Sequence, residues 1–137
     1  MATQSIFADT GYFIALLSQA DTLHGKAHRL SKTLAAKHAH IVTTEAVLIE
    51  TLDGFARYRH RAIASVLVDE LEKDADVEII TTTTARFRAA LKVYNDRPDK
   101  TWGMTDCISF VVMREKKIKQ ALTADRHFVQ AGFEALL

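Results

Sequence analysis

The sequence contains few of the residues that form disulfides or interrupt helices and strands. Its 137 residues include one cysteine, one proline and five glycines. The single cysteine, Cys107, cannot form an internal disulfide, which argues against a disulfide-stapled secreted domain and favours the reducing cytoplasm. No run approaches the roughly 18 uncharged apolar residues of a spanning helix, so no membrane association is expected. The segment MATQSIFADT lacks the basic and apolar regions of a signal peptide, so export is not expected.

No excess of charge of one sign is present either. Eighteen Lys and Arg residues against 17 Asp and Glu residues give a formal net charge of +1. The whole-chain charge therefore neither indicates nor excludes nucleic acid, because a local basic patch can lie within a neutral total. No glycine-rich phosphate loop is present, which argues against the common nucleotide-binding modules. No linker, repeat or low-complexity tract divides the chain, so residues 1–137 are expected to form a single domain.

Short β-branched and apolar runs alternate with longer segments of helical periodicity. The runs predict strands over 5–9, 40–44, 77–83 and 118–123. The periodic segments predict helices over 12–19, 21–37, 45–58, 60–74, 84–96 and 106–117, with Thr44 and Thr105 as N-caps. A short helix and the segment FEALL follow Asp125. This alternation predicts an α/β fold with a central parallel sheet flanked by helices on both faces.

Four acidic residues lie at positions where they could share one site. Asp9 ends the first predicted strand, Asp125 follows the last, and Asp106 lies in the first turn of an apolar helix. Glu50 is predicted to lie on an apolar helix face, where an unpaired charge would be costly. Each residue alone also has an ordinary explanation: a helix cap, a charge that complements the helix dipole, or a solvated side chain.

The carboxyl ends of parallel strands lie along one edge of a sheet, where open α/β proteins bind ligands. Carboxylates gathered there would repel one another unless a cation were bound among them. Hard divalent ions with oxygen ligands, Mg²⁺ or Mn²⁺, suit such a site. The chemistry that fits it is activation of water for phosphodiester hydrolysis.

Four segments carry a family resemblance: FADTGYFIALL, TTEAVLIETL, WGMTDCISFVVM and QALTADRHFVQAGF. In this order, which spans nearly the whole chain, they resemble PIN domains, and most of all the VapC-like ribonuclease toxins of bacterial toxin–antitoxin systems. The resemblance implies a metal-dependent endoribonuclease in which Mg²⁺ or Mn²⁺ is the cofactor. The acids that it identifies as catalytic are Asp9, Glu50, Asp106 and Asp125.

The resemblance also implies a role for each residue. Asp9, Asp106 and Asp125 hold the metal directly or through water, and Glu50 is a further ligand or orients the water. Glu45 is a nearby rival, but Glu50 is preferred because Thr51 and Leu52 follow it in the family-like pattern. Three threonines beside the acids are supporting residues that could bond a carboxylate, a metal-bound water or a phosphate: Thr10, Thr105 and Thr123.

RNA is the implied substrate, and an antitoxin protein and a second copy of the chain are the implied partners. Arg126 and His127 adjoin Asp125 and are candidate RNA contacts, because backbone contacts by basic side chains supply affinity. Trp102 could stack on a base or simply pack within its loop. The alternative to the enzyme is a PIN-like module that binds RNA or protein without turnover, since catalysis depends on very fine placement of the acids.

Overall fold

The structure is a computed structural model that describes residues 4–57 and 59–137. Within them are five strands: β1 (Ser5–Ala8), β2 (His40–Thr44), β3 (Val77–Ile80), β4 (Gln120–Leu122) and β5 (Glu134–Ala135). The same residues form seven helices: α1 (Thr10–Leu17), α2 (His24–Ala36), α3 (Glu45–Gly54), α4 (Arg61–Lys73), α5 (Thr84–Asp96), α6 (Met104–Glu115) and α7 (Arg126–Gln130). No helix in these ranges is long and apolar enough to cross a membrane.

The five strands form one parallel sheet in the order β3-β2-β1-β4-β5. The chain moves outward from β1 to β3 on one side, then crosses back and continues through β4 to β5 on the other. Because parallel crossovers are right-handed, this reversal puts helices on both faces of the sheet. The predicted fold class is therefore confirmed. The reversal also makes β1 the topological switch point, where open α/β sheets form a crevice at the carboxyl ends of their strands.

The sheet is anchored by a core of fully buried side chains. Phe7 on β1, Val42 on β2 and Leu122 on β4 are each 0% exposed. Two aromatic rings link the later helices: Phe110 on α6 meets Phe128 on α7 edge to face, with ring centroids 5.1 Å apart. This packing fixes the strand ends and the starts of α6 and α7 relative to one another.

Most predicted boundaries differ from the structure by one to four residues, including the end of α3, the end of β3 and the start of α6. The helix predicted over 45–58 ends at Gly54, and Tyr58 lies outside the described residues. The strand predicted to reach residue 83 ends at Ile80, because the Thr83 hydroxyl accepts a bond from the Arg86 N–H and caps α5 instead.

The third difference concerns the start of α6. The prediction of Thr105 as its N-cap is wrong, because the helix begins at Met104 with Gly103 in the cap position. The Asp106 carboxylate accepts the Gly103 N–H at 3.2 Å, which satisfies a donor before the first turn and moves the start of the helix towards the N-terminus.

Candidate functional site

The four predicted acids line a single cavity of ≈ 250 Å³ at the carboxyl end of the sheet. They come from separate segments: the end of β1, the middle of α3, the first turn of α6 and the residue before α7. The cavity is lined by Asp9, Thr10, Gly11, Asp21, Leu23, Glu50, Asp106, Thr123, Ala124, Asp125 and Leu137.

Asp9 is the most deeply buried of these acids. It is 6% exposed, lies directly after β1, and its Oδ2 accepts a hydrogen bond from the Thr123 hydroxyl at 2.9 Å. Burial raises the pKa of Asp9 to about 7, and the nearby carboxylates of Asp106 and Glu50 also raise it, although hydrogen bonds from Thr10 and Thr123 lower it. A carboxylate in this setting is poorly stabilised as an anion and gains from a nearby cation.

Asp106 is oriented by two contacts at the start of α6. Its Oδ2 accepts the Gly103 N–H at 3.2 Å and lies 3.0 Å from Nδ1 of His127. Burial raises the pKa of Asp106, and Asp125 adds to the rise, while the bonds from His127 and Gly103 lower it. Asp106 therefore acts as a helix cap and also lines the cavity, so the two explanations weighed for it are compatible.

Asp125 likewise caps a helix and lines the cavity. Its Oδ1 accepts the His127 N–H at 2.9 Å and caps α7, while the Thr123 hydroxyl accepts the Asp125 N–H at 3.0 Å. One ligand atom from each of Asp106, Asp125 and His127 lies within 4.8 Å of the others. Of the two candidate RNA contacts, Arg126 is exposed, whereas His127 turns its ring towards the carboxylates.

The two glutamates of α3 have different surroundings. Glu50 lines the acidic cavity, whereas Glu45 lines a separate depression and accepts the Thr82 N–H at 3.1 Å. The expectation that Glu50 lies on a buried apolar face is wrong: Glu50 is exposed, and its neighbour Ile49 is 59% exposed. The helix buries Val47, Leu48 and Thr51 instead.

The three predicted supporting threonines also differ in their surroundings. Thr10 and Thr123 line the cavity. Thr105 does not, and its carbonyl accepts the Ser109 hydroxyl within α6. Thr123 links two acids, because its hydroxyl donates to Asp9 and accepts from the Asp125 N–H. The Thr10 hydroxyl oxygen is buried with no hydrogen-bond partner among the described residues.

Asp21 lines the cavity as a fifth acid that the sequence did not single out. It lies in the loop between α1 and α2, where its Oδ1 accepts the Leu23 N–H at 2.8 Å. An Asp in such a loop is typical of an ordinary turn. Asp21 reaches the site because the loop passes the end of β1. No local pattern in the sequence predicts the path of this loop.

Trp102 lies close to the site but is packed within the protein. It is 6% exposed, its Nε1 donates to Gln130 at 3.0 Å, and its ring meets Phe110 edge to face. Of the two explanations weighed for this residue, loop packing describes its position.

The residues around the cavity fit a divalent cation. Oxygen ligands predominate, the pKa values of Asp9 and Asp106 are raised, and the Thr10 hydroxyl has no partner among the described residues. A cation would stabilise the ionised carboxylates, and Mg²⁺ and Mn²⁺ favour such oxygen donors. The arrangement suits chemistry in which a bound cation offsets the negative charge of a reacting phosphate.

The chain is similar in sequence to proteins of one known family. Residues 6–134 match the model of the PIN domain family. The chain is 33% identical over 129 residues to the 23S rRNA-specific endonuclease VapC20 of Mycobacterium tuberculosis, in two strains, covering 93% of this chain and 95% of the relative.

The solved structures give the same result for the fold. The crystal structure of M. tuberculosis VapC20, described as a sarcin–ricin loop cleaving toxin, superposes with a TM-score of 0.83 at 28% identity, covering 96% of this chain and 98% of the other. VapBC2 of Rickettsia felis, bound to a promoter DNA fragment, has a TM-score of 0.71 at 12% identity, covering 97% and 98%. FitAcB of Neisseria gonorrhoeae has a TM-score of 0.66 at 15% identity, covering 96% of each chain. Family match, sequence identity and fold together lead to one conclusion: the chain belongs to the PIN domain family.

Proposed function

We propose that this protein is a metal-dependent endoribonuclease that hydrolyses RNA phosphodiester bonds, and that it is the toxin of a toxin–antitoxin pair. The observation that carries the proposal is the meeting of four carboxylates from four separate segments in one cavity at the switch point of the sheet. Capping bonds account for Asp106 and Asp125 singly, but the Asp9 side chain makes no cap bond and Glu50 lies within a helix. Capping therefore gives no reason for the meeting of all four.

Asp9, Asp106 and Asp125 are the proposed ligands of Mg²⁺ or Mn²⁺, directly or through water. When bound, the ion lowers the pKa of water and stabilises the charge that develops on the phosphate oxygens. The buried carboxylate of Asp9 lies deepest, and the less buried Asp106 and Asp125 lie nearer the solvent. This gradient leaves the outer side of the site open to a phosphodiester.

The other residues orient these ligands. The Thr123 hydroxyl holds Asp9 and the Asp125 backbone at once, and the Gly103 N–H holds Asp106. Glu50 reaches the cavity from an exposed helix face, so its carboxylate suits a proton acceptor or a group that orients the attacking water better than it suits the deepest ligand.

RNA is the proposed substrate, since VapC20 acts on 23S rRNA, and the cytoplasm is the proposed place of action. Arg126 is exposed beside Asp125, where it can contact the phosphate backbone of the RNA. Arg57, Arg59 and Arg61 are exposed beyond the end of α3 and can extend this contact.

The toxin role implies an antitoxin partner and, as the resemblance suggests, a homodimer. A groove of ≈ 230 Å³ between α1, α2 and α4 offers half-buried apolar side chains such as Leu16, Leu34 and Leu67, with Glu70 and Asp74 among its lining. A partner segment with apolar and basic side chains would complement it. Expression of the chain alone should arrest bacterial growth, and Asp9→Asn should relieve the arrest; harmless expression of active enzyme would contradict the toxin role.

The direct test is cleavage of end-labelled RNA by the purified protein. A 23S rRNA sarcin–ricin stem-loop and an unrelated stem-loop would be incubated with Mg²⁺ or Mn²⁺, with EDTA, and with Asp106→Asn. The matched control is Asp96→Asn, which removes an exposed carboxylate that pairs with Lys92 on α5. We expect cleavage by the wild type and by Asp96→Asn alone.

Cleavage that persists in EDTA or in Asp106→Asn would contradict the proposed site. Retention of RNA without scission by folded, metal-loaded protein would favour the alternative, a non-catalytic PIN-like binding module.

A further inference from the structure

The side chain of His127 is placed against the two outer carboxylates of the cavity. It is 19% exposed, and its Nδ1 lies 3.0 Å from Asp106 Oδ2 and 3.3 Å from Asp125 Oδ1. Within residues 4–57 and 59–137, it is the one basic side chain within ion-pair distance of either aspartate. No Lys or Arg side chain in those ranges therefore forms an ion pair with these two carboxylates.

The far side of the ring is also fixed. Nε2 of His127 lies 3.2 Å from the Thr101 hydroxyl, in the loop before α6. In one tautomer Nδ1 donates its hydrogen to Asp106 and the Thr101 hydroxyl donates to Nε2. In the other, Nε2 donates to this hydroxyl and the lone pair of Nδ1 faces two carboxylate oxygens. This contact is repulsive unless a positive charge lies between the three atoms. A hydrogen bond to the ring nitrogen that does not face the metal is also the usual way in which proteins orient a metal-binding histidine.

The spacing of the three donors fits a metal ion. In a tetrahedral site with bonds of about 2.0–2.1 Å, neighbouring ligand atoms lie about 3.3 Å apart. Nδ1 already lies 3.0 and 3.3 Å from the two oxygens, and all three atoms lie within 4.8 Å of one another. A cation can thus engage them with small side-chain movements.

We propose that His127 is a nitrogen ligand, and that Asp106, Asp125 and His127 together form a mixed nitrogen and oxygen site that takes a transition metal ion more tightly than Mg²⁺. Imidazole suits zinc, cobalt and nickel, whereas Mg²⁺ favours oxygen donors and keeps several of its waters. His127 then sets which metal the protein holds. The inference uses two aspartates of the proposed nuclease site, but it concerns metal binding and does not require RNA cleavage.

Metal titration of the full-length, metal-stripped protein tests this proposal. Co²⁺ would be followed by its visible absorption, Zn²⁺ by competition with Co²⁺, and Mg²⁺ by calorimetry. His127→Gln keeps a polar side chain but removes the imidazole. His40→Gln is the matched control, because His40 also lies beside a carboxylate, Nε2 to Glu78 Oε1 at 3.2 Å, but away from the cavity.

We expect His127→Gln to weaken Co²⁺ and Zn²⁺ binding by at least about 10-fold, since outer contacts of metal ligands already contribute 10–100-fold. Mg²⁺ binding should change much less, and His40→Gln should match the wild type. Equal loss of Mg²⁺ and Zn²⁺ affinity in His127→Gln, or no loss of either, would overturn the proposal.

Ring nitrogen spectra give a second readout that does not depend on a variant. In long-range ¹H–¹⁵N correlation spectra, addition of Zn²⁺ should shift Nδ1 of His127, and Nε2 should keep its bond to Thr101. An unchanged Nδ1 at saturating Zn²⁺ would overturn the proposal. Wild-type protein that binds Zn²⁺ through Nδ1 but cleaves no RNA would leave this inference intact and contradict the nuclease function.

Discussion

Acidic side chains have different neighbours at the two ends of the sheet. At the amino end of β2 and β3, acids lie beside basic partners: Asp76 beside His38 at 3.0 Å, and Glu78 beside both His40 and Lys116. At the carboxyl end, Asp9 has no Lys or Arg within ion-pair distance among the described residues and is surrounded by other acids. At the first end each of these acids has a basic partner within the chain, whereas at the second only His127 lies beside two of the acids and Asp9 has none among the described residues.

The pKa values reflect this contrast. Partial burial alone would raise the pKa of Glu78, but hydrogen bonds from Lys116 and His40 lower it below its usual value. The pKa of Asp9 is raised to about 7, chiefly by burial and with a smaller contribution from two neighbouring carboxylates, although hydrogen bonds from Thr10 and Thr123 lower it. Removal of a charge should therefore destabilise the first end and stabilise the second.

The largest effect is expected for Asp106→Asn, which removes an acid from the end that lacks basic partners other than His127. RNA cleavage with Mg²⁺ should fall at least about 100-fold, because loss of a metal ligand exceeds the 10–100-fold effect of outer contacts. The circular dichroism spectrum should stay that of the wild type, since the Asn oxygen can still accept the Gly103 N–H. Cleavage within a few-fold of the wild type would remove Asp106 from the site.

Asp9→Asn should stabilise the EDTA-treated protein at pH 8 by about 2–4 kcal/mol, since each pKa unit corresponds to about 1.4 kcal/mol. The folded protein holds the Asp9 proton up to about pH 7, whereas the unfolded chain releases it near pH 3.8. Wild-type stability should therefore fall as the pH rises from about 4 to about 7, and the variant should lose most of this slope. Urea unfolding at pH 5 and pH 8 measures both. A variant that is less stable than the wild type at pH 8 would show that Asp9 is not strained as an anion.

A smaller effect is expected for Glu50→Gln, which should reduce RNA cleavage about 10-fold, less than the roughly 100-fold or more of a typical acid–base group, because Glu50 lies on an exposed helix face. Glu45→Gln should change cleavage less than about 3-fold, because Glu45 holds the Thr82 backbone outside the cavity. Single-turnover rates of the two variants, which lie on the same helix, decide between them. The reverse order would make Glu45 the functional glutamate.

The smallest effect is expected at the paired end. Glu78→Gln should destabilise the protein by about 0.2–1 kcal/mol at pH 7, because exposed ion pairs contribute little. The lowered pKa of Glu78 means that its contribution is present above its unfolded value of 4.5 and is lost as the pH falls through the folded value. The difference in stability between variant and wild type should therefore shrink as the pH falls below 4.5. Stabilisation at pH 7 would show that the two ends of the sheet do not differ in the way described.

Much of the fold follows from local patterns. The β-branched run HIVTT forms β2 with the predicted bounds, and α5 spans Thr84–Asp96 as the periodicity predicts. Two of the boundary errors lie where a side chain forms a bond that no periodicity encodes. Thr83 caps α5 and so shortens the preceding strand, and Asp106 bonds Gly103 and so moves the start of α6.

The site could be predicted only in part, for a related reason. Asp9 and Asp125 follow strand ends, and parallel topology alone carries such residues towards one edge. Asp21 depends on the path of a loop, and the orientation of the His127 ring depends on Thr101 and two carboxylates from other segments. Contacts of this kind are long-range, so the residue type and its neighbours in the chain do not report them.

The edge-to-face contact of Phe110 with Phe128 has a consequence for how the site responds to heat. Phe110 lies one turn beyond Asp106 and Phe128 three residues beyond Asp125, and both rings are fully buried. The two carboxylates are thus fixed to the same piece of core and cannot drift apart while that core is intact. The distance between them should stay constant up to the melting temperature, so the proposed metal site should be lost together with the fold rather than before it.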